Sequence, residues 1–242
     1  MSSPLLSVVV PVHNEAQVLA ELVRRLKEAA LQLEGEVELL LVDDASTDDS
    51  SSFFEAMEGV TLVRLEDNVG QFRATCAGLD AAKGELVAVL DGDLQDPPEA
   101  LKGLIAVRGD SELAFAVKSA RVDPLWFRIG RAIYRALAHL GSGAPPSGAG
   151  SYCVMTRALA ERVVACTLPA ANLAAVAVSR SVQRGPWPTH TYAKAARYDG
   201  RSRVGFFGLV AEALGSLHVM GALVPLVTLG LAGLGALRFI LL

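Results

Sequence analysis

The chain has 242 residues and a mass of 25.4 kDa, enough for one sizeable hydrophobic core with an appendage and too much for a small disulfide-stapled module. Apolar residues make up 52% and charged residues 20%, with mean hydropathy +0.38, which excludes a disordered chain and is high for an ordinary soluble domain. The 22 basic and 26 acidic residues leave a net charge of −4, so no bulk attraction to nucleic acid exists and an anionic ligand must be met by local charge.

Leu6 to Val12 is a β-branched apolar run that predicts a buried strand. It lacks a preceding basic stretch and is too short for a signal-peptide core, so secretion is not expected. Val18, Leu22, Leu26, Ala29 and Leu33 then recur at helical spacing. Val37 to Val42 predicts a second strand ending in Asp43 and Asp44, after which Ser46 or Thr47 can cap a short helix running to Glu58. A strand over Val60 to Leu65, a helix over Gly70 to Ala82 and a strand over Leu86 to Leu90 follow, the last stopping at Asp91-Gly92-Asp93. This alternation predicts an α/β fold with a mainly parallel sheet covered on both faces.

Asp96-Pro97-Pro98-Glu99 reads as a helix start, with Asp96 as N-cap, Pro97 at the first helical position and Glu99 closing a capping box. Leu113 to Val117 is a further strand, and Asp123-Pro124 opens a helix to about Leu140. The Gly, Pro and Ser loop 141–150 is a candidate lid, Ser151 to Met155 a strand and Thr156 to Cys166 a helix. Residues 169–192 show no clear period. Cys76, Cys153 and Cys166 form no C-x-x-C pair, which fits a reducing compartment.

From Ala213 to Leu237 no Asp, Glu, Lys or Arg occurs, and Val219 to Leu237 is almost wholly Leu, Val, Ala and Gly, close to the roughly 20 apolar residues that span a bilayer. We expect one membrane span here, a buried core helix being the alternative. Phe206, Phe207, Leu209, Val210, Leu214 and Leu217 would form the apolar side of a preceding interfacial helix. Arg197, Arg201 and Arg203 just upstream place the N-terminal domain on the cytoplasmic side.

In a parallel α/β sheet ligands bind beyond the carboxyl ends of the strands, where Glu15, Asp43, Asp44, Asp91 and Asp93 all fall. Gathered there unpaired they would repel, and their natural neutraliser is a divalent cation such as Mg²⁺ or Mn²⁺, whose shell phosphate oxygens usually complete. Neither G-x-G-x-x-G nor G-x-x-x-x-G-K-[ST] is present, so a nucleotide's phosphates would be held through the metal. Each acidic residue alone has a plainer reading as a strand end or first-turn residue. Lys118, Arg121, Arg128, Arg131 and Arg135 offer positive charge, the last three on one helical face; a solvated face is the alternative for Arg128 and Arg135. His190 is a weaker candidate for touching an acceptor.

Pro11-Val12-His13-Asn14-Glu15, Val42-Asp43-Asp44-Ala45-Ser46-Thr47-Asp48, Asn68-Val69-Gly70-Gln71 and Asp91-Gly92-Asp93-Leu94-Gln95-Asp96-Pro97-Pro98-Glu99 resemble, in order, the motifs of family 2 glycosyltransferases of the GT-A fold. The last segment is most similar to the polyprenyl-phosphate branch, which includes dolichol-phosphate mannose synthases, as are residues 150–157 and 197–203. The resemblance covers residues 5–204. It implies a GT-A catalytic domain over 1–204 and a membrane-associated segment over 205–242. It implies that Pro11, His13, Glu15, Val42 and Asp44 line a nucleoside pocket, that Asp91, Asp93 and Gln95 hold Mg²⁺ or Mn²⁺ on the donor diphosphate, and that Arg203 approaches the phosphates. His13 replaces a common Tyr, Gly92 a common Ala, and Val204 a common aromatic residue.

A sugar-hydroxyl acceptor would need a general base, whereas Cys166 to Gln183 contains no Asp or Glu. A phosphate monoester, with its second pKa near 6, is already largely ionised and needs only positive charge. Lys118, Arg121, Arg131 and Arg197 are the candidates to bind it. The expected activity is therefore inverting transfer from a UDP- or GDP-sugar to undecaprenyl or dolichyl phosphate at a membrane. The alternatives are a hydroxyl acceptor and a non-catalytic nucleotide-sugar-binding subunit. The small glycines of the span would suit packing against a second copy or a membrane partner.

Overall fold

Continuous apolar runs flanked by amphipathic helices leave the central strands buried on both faces, and the chain folds accordingly. The computed structural model describes residues 6–55, 57–119, 125–141, 143–166, 172–193, 206–219 and 221. Seven strands, β1 (Leu6–Val12), β2 (Val37–Asp43), β3 (Thr61–Arg64), β4 (Leu86–Val89), β5 (Leu113–Lys118), β6 (Ala149–Thr156) and β7 (Thr189–Tyr192), form one sheet in the order β3-β2-β1-β4-β6-β5-β7. All run the same way except β6, which lies antiparallel between β4 and β5.

Side chains alternate between the faces. Val9, Leu40, Val42, Val87, Val89 and Phe115 point to the face covered by α3 (Gln71–Ala81), α6 (Arg157–Val164) and α7 (Leu173–Arg180). Val8, Val10, Leu39, Leu41 and Ala88 point to the face covered by α1 (Ala16–Ala30) and α4 (Ala100–Arg108), with Phe54 of α2 (Ser50–Glu55) at its margin. The buried stripe Val18, Leu19, Leu22, Val23, Leu26 and Ala29 is the apolar face of α1, each large side chain stabilising by about 1.5–3 kcal/mol. Cys76, Cys153 and Cys166 are all buried free thiols.

Several local expectations yield to longer-range contacts. Asp96 is not a helix cap: α4 begins at Ala100, while Asp96 is 1% exposed and accepts the Tyr192 hydroxyl from β7. Glu99 closes no capping box; it takes a two-point bond from Arg25 of α1 at 2.8 and 2.6 Å. Ser46 and Thr47 bond to the β1 loop and to Asp43, not to α2, whose first N–H, that of Ser50, donates to Asp48 at 3.1 Å. The unplaced stretch holds α7, apolar on every side because it is buried on every side, and the edge strand β7. His190 of β7 lies against Gly103 of α4, where a methyl group would come within 2.2 Å of its ring.

Beyond the sheet, α5 (Leu125–Ala138) packs on α8 (Phe206–Val219), with Ala138, Ala175 and Leu217 meeting in a small apolar cluster. Leu217 thus faces protein, not an interface with lipid, whereas Leu214 is exposed; the side chains of 206–212 lie outside the described residues. The expected membrane span, apart from Val219 and Gly221, also lies outside them. No helix among the described residues is long and apolar enough to cross a membrane.

Gly78 is where α3 meets the sheet: a methyl group there would lie 2.4 Å from Val9 Cγ1 and 2.7 Å from Val42 Cγ2. Gly to Ala in a helix ordinarily gains up to about 1 kcal/mol, but overpacking costs about 1–3 kcal/mol. Gly78→Ala should therefore lower the melting temperature by a few degrees in differential scanning fluorimetry; an increase would contradict this packing.

Candidate active site

The order of the strands reverses at β1, since β2 and β3 lie to one side and β4 to the other. The crevice beyond the carboxyl ends of β1 and β4 is therefore the topological switch point, where such sheets bind ligands. Pro11 and Val12 end β1 and His13 follows, and Asp91-Gly92-Asp93 comes after β4. Gly92 lets the two strand ends approach: a methyl group on it would sit 3.0 Å from the Pro11 carbonyl oxygen and 3.3 Å from Val12 Cγ2. Among the described residues, the non-glycine positions at positive φ, Asn14 (56°), Ala45 (51°) and Leu94 (59°), lie in the loops after β1, β2 and β4, all at this rim. Such conformations cost about 1 kcal/mol or more and concentrate where surrounding structure enforces them.

The enforcement is a set of bonds between loops. Asn14 Oδ1 accepts the N–H groups of Thr47 at 2.8 Å and Asp48 at 3.2 Å, and its own N–H donates to Ser46 Oγ at 3.0 Å. Asp48 in return accepts the N–H of Ala16 at 3.0 Å, so the first turn of α1 is capped from a different loop. His13 Nδ1 lies 2.8 Å from the Asp44 carbonyl oxygen, which can only accept, so Nδ1 is the donor of that bond and carries a proton. The Asn14 amide nitrogen lies 3.0 Å from Nε2, which it can reach as donor, and that of Asn68 lies between the two ring nitrogens, 3.0 Å from Nε2 and 3.2 Å from Nδ1. Asp44 is 3% exposed, and its two carboxylate oxygens accept Val69 N–H at 2.8 Å and Gly70 N–H at 3.0 Å. Asp43 Oδ1 accepts Ser46 N–H at 2.9 Å, and Oδ2 faces Arg64 at 3.4 Å.

On the β4 side, Asp91 Oδ1 accepts Ser151 Oγ at 2.5 Å and Gln71 Nε2 at 2.6 Å. Desolvation by the surrounding protein, followed by the nearby charge of Asp96, pushes the Asp91 carboxyl up to about 6. Ser151 opposes the rise, Asp93 adds to it and Lys118 at the end of β5 opposes it. Lys118 Nζ reaches over Gly150, so its cation stands beside the acidic cluster. Asp93 Oδ1 accepts the N–H of Gln95, a buried residue, at 3.1 Å. Desolvation and then the Asp96 bond raise the Tyr192 hydroxyl well above its usual range, so it stays a donor. Tyr152 packs on Tyr192 with ring centres 5.6 Å apart and donates to the Pro97 carbonyl at 3.0 Å.

Pro11, His13, Glu15, Asp44, Asp91, Asp93, Gln95 and Lys118 thus all belong to the strand-end rim. Val42 is wholly buried against α3 and lies beneath the rim. Arg131 is exposed on α5, as is Arg128, while Arg135 is half-buried and donates to the Pro145 carbonyl at 2.7 Å. Arg121, Arg197 and Arg203 lie outside the described residues. Asn14, Asp48, Asn68, Gln71 and Ser151 fall within the motif segments, and their roles as supports become visible only through these bonds between loops.

Among the described residues no group of three or more His, Cys, Asp or Glu side chains could by itself hold a metal ion. The residues present nevertheless fit one of a particular kind. Asp91, Asp93 and the amide oxygen of Gln95 are hard oxygen donors carrying excess negative charge, a set suited to Mg²⁺ or Mn²⁺ whose shell is completed by phosphate and water.

Residues 7–143 match the family model Glycosyl transferase family 2, and the chain belongs to that family. Among curated relatives, the undecaprenyl-phosphate 4-deoxy-4-formamido-L-arabinose transferase of Sodalis glossinidius is 36% identical over 174 residues, 68% of this chain and 52% of its own length. That of Pseudomonas aeruginosa is 40% identical over 131 residues, 51% of this chain and 38% of its own. The chain thus spans about half the length of the curated relatives it matches, or less. Among solved structures, glucosyl-3-phosphoglycerate synthase from Mycobacterium tuberculosis, in complex with Mn²⁺, UDP and glucosyl-3-phosphoglycerate, superposes with TM-score 0.59 at 21% identity, covering 90% of this chain and 81% of that one. The fold is accordingly α/β and GT-A-like.

A carboxyl raised from 3.8 to about 6 on folding penalises the ionised native state: the penalty is absent below about pH 4, grows between about 4 and 6 and is complete above. Asp91→Asn keeps an oxygen to accept the Ser151 and Gln71 bonds and removes the charge. In EDTA its melting temperature should exceed that of the wild type by a few degrees at pH 7.5 and by less at pH 5; a loss of stability at pH 7.5 would contradict the charge crowding.

Proposed function

We propose that this protein is an inverting glycosyltransferase that moves a sugar from a UDP- or GDP-sugar to a polyprenyl phosphate such as undecaprenyl or dolichyl phosphate. The observation that carries this reading is the junction of Asp91 and Asp93 with Lys118 at the switch point between β1 and β4. An anionic cluster of this kind suits a metal-bound diphosphate, and the adjacent cation suits a second anion, the acceptor. The polyprenyl-phosphate assignment is supported by the names of relatives that align with about two thirds of the chain. The nucleotide diphosphate and a divalent metal are supported by the UDP and Mn²⁺ held in the structural neighbour.

In this reading, His13, bonded through Nδ1 to the Asp44 carbonyl, and the rim formed by Pro11, Glu15 and Asp44 receive the nucleoside. Val42 supports that rim from below. Asp91, Asp93 and Gln95 would hold Mg²⁺ or Mn²⁺, which supplies charge neutralisation to the departing diphosphate. Arg203 reaches the same phosphates. Lys118, together with Arg121, Arg131 and Arg197, binds the acceptor phosphate. The acceptor's own oxygen is already ionised, so no protein base takes a proton. It forms the new bond to the anomeric carbon as the bond to the nucleoside diphosphate breaks from the opposite side, giving a β-linked product from an α-linked donor. α7, buried and without acidic residues, offers no base for a hydroxyl acceptor.

Residues 1–204 constitute the catalytic domain in this account, and 205–242 the membrane-associated segment, with a span beginning near Val219 and the catalytic domain facing the cytoplasm. The span would pack against a second copy or a membrane partner subunit.

The test is transfer of radiolabel from UDP- and GDP-sugars into an organic-extractable, mild-acid-labile product, with undecaprenyl or dolichyl phosphate, in Mn²⁺ or EDTA. We expect metal-dependent lipid product that falls at least 100-fold in Asp93→Ala. Label appearing only on hydroxyl acceptors, or nucleotide-sugar binding without turnover, would overturn the lipid-phosphate reading.

A further inference from the structure

Asp91 is gripped by two side chains that come from either side of β4. Gln71 opens α3, which packs over β1 and β2, and Ser151 lies on β6, which pairs with β4 on the opposite edge. Both donate to one oxygen, Oδ1, at 2.6 and 2.5 Å. Two donors fill the lone pairs of that oxygen, and among the described residues none reaches Oδ2. A carboxylate bound this way cannot exchange its oxygens by rotating about its last torsion without breaking both bonds.

Gln71 is itself held in place. The two residues before it, Val69 and Gly70, give their N–H groups to the buried carboxylate of Asp44, and Gly70 takes φ +84°, which favours glycine. Asp44 therefore fixes the loop that delivers the Gln71 amide to Asp91, so the nucleoside side of the rim is tied by bonded groups to the diphosphate side.

Building on the site reading above, the geometry points to Gln71 and Ser151 as positioning residues that hold Oδ1 of Asp91 and thereby leave Oδ2 to face the cation that would hold the donor diphosphate. Neither touches the reacting atoms. A purely structural pair of bonds would affect stability alone, whereas positioning groups behind a metal ligand typically affect metal affinity by about 10- to 100-fold.

The experiment is Mn²⁺ titration of the full chain with saturating UDP or GDP, whichever binds more tightly, following free Mn²⁺ by electron paramagnetic resonance, alongside thermal melts in EDTA. The variants are Gln71→Met, which keeps length without a donor, Ser151→Ala, Ser151→Thr, which keeps the hydroxyl, and Asp93→Ala. We expect Gln71→Met and Ser151→Ala each to weaken Mn²⁺ binding by about tenfold or more, and Ser151→Thr to restore it to within about threefold of wild type. Asp93→Ala should abolish it. Wild-type Mn²⁺ affinity in Gln71→Met and Ser151→Ala, with Asp93→Ala still defective, overturns the positioning role and leaves the site reading standing. Wild-type affinity in Asp93→Ala overturns the site reading itself. Equal weakening in Ser151→Ala and Ser151→Thr overturns the role of the Ser151 hydroxyl, a comparison that holds even if Gln71→Met melts too low to titrate.

Discussion

Asp91 follows β4 beside the point where the sheet order reverses, and a carboxylate closely surrounded by protein there must be supplied with donors and a compensating charge. The surrounding structure answers that demand from three directions: Gln71 from α3, Ser151 from β6 and Lys118 from β5. Asp96 and Asp93 pull the other way, adding negative charge that hydrogen bonds alone do not cancel. This residual excess suits a divalent cation, through which the proposed diphosphate would be held, and it is why the rim reads as a candidate site and not as an ordinary strand end. The antiparallel insertion of β6 matters for the same reason: it brings Ser151 beside β4.

The hydrophobic pattern made most of the sheet and its flanking helices legible, because a strand buried on both faces needs an unbroken apolar run and α1 needs one apolar stripe. α7 escaped that logic, since a helix buried all round has no polar face to create a period. β7 escaped it too: Thr189-His190-Thr191-Tyr192 is short and half polar, as an edge strand can be. The direction of β6 is a property of its neighbours, not of its own residues. At Asp96 the local signal for a helix cap was present, but a buried tyrosine hydroxyl 96 residues away claimed the carboxylate.

The acidic residues of the site were legible because they punctuate apolar runs. Their supports were not, because they act across distance: Asn14 on residues 33 and 34 positions away, Gln71 on one 20 away and Ser151 on one 60 away. Within the motif segments these residues stood as pattern without chemistry. The geometry separates roles the sequence had merged: Asp44 organises the loop that carries Gln71, Val42 is core, and His13 bonds through Nδ1 to the Asp44 carbonyl.

The central claim is that the crevice between β1 and β4 binds a divalent metal and a nucleoside diphosphate together. Anomalous diffraction at the manganese edge, from crystals grown with Mn²⁺ and UDP or GDP, tests it most directly. One manganese peak beside Asp91 and Asp93, next to the bound diphosphate, is expected, with Asp91 Oδ1 still bonded to Gln71 and Ser151. Manganese elsewhere, or nucleotide bound away from the β1 and β4 strand ends, would contradict it.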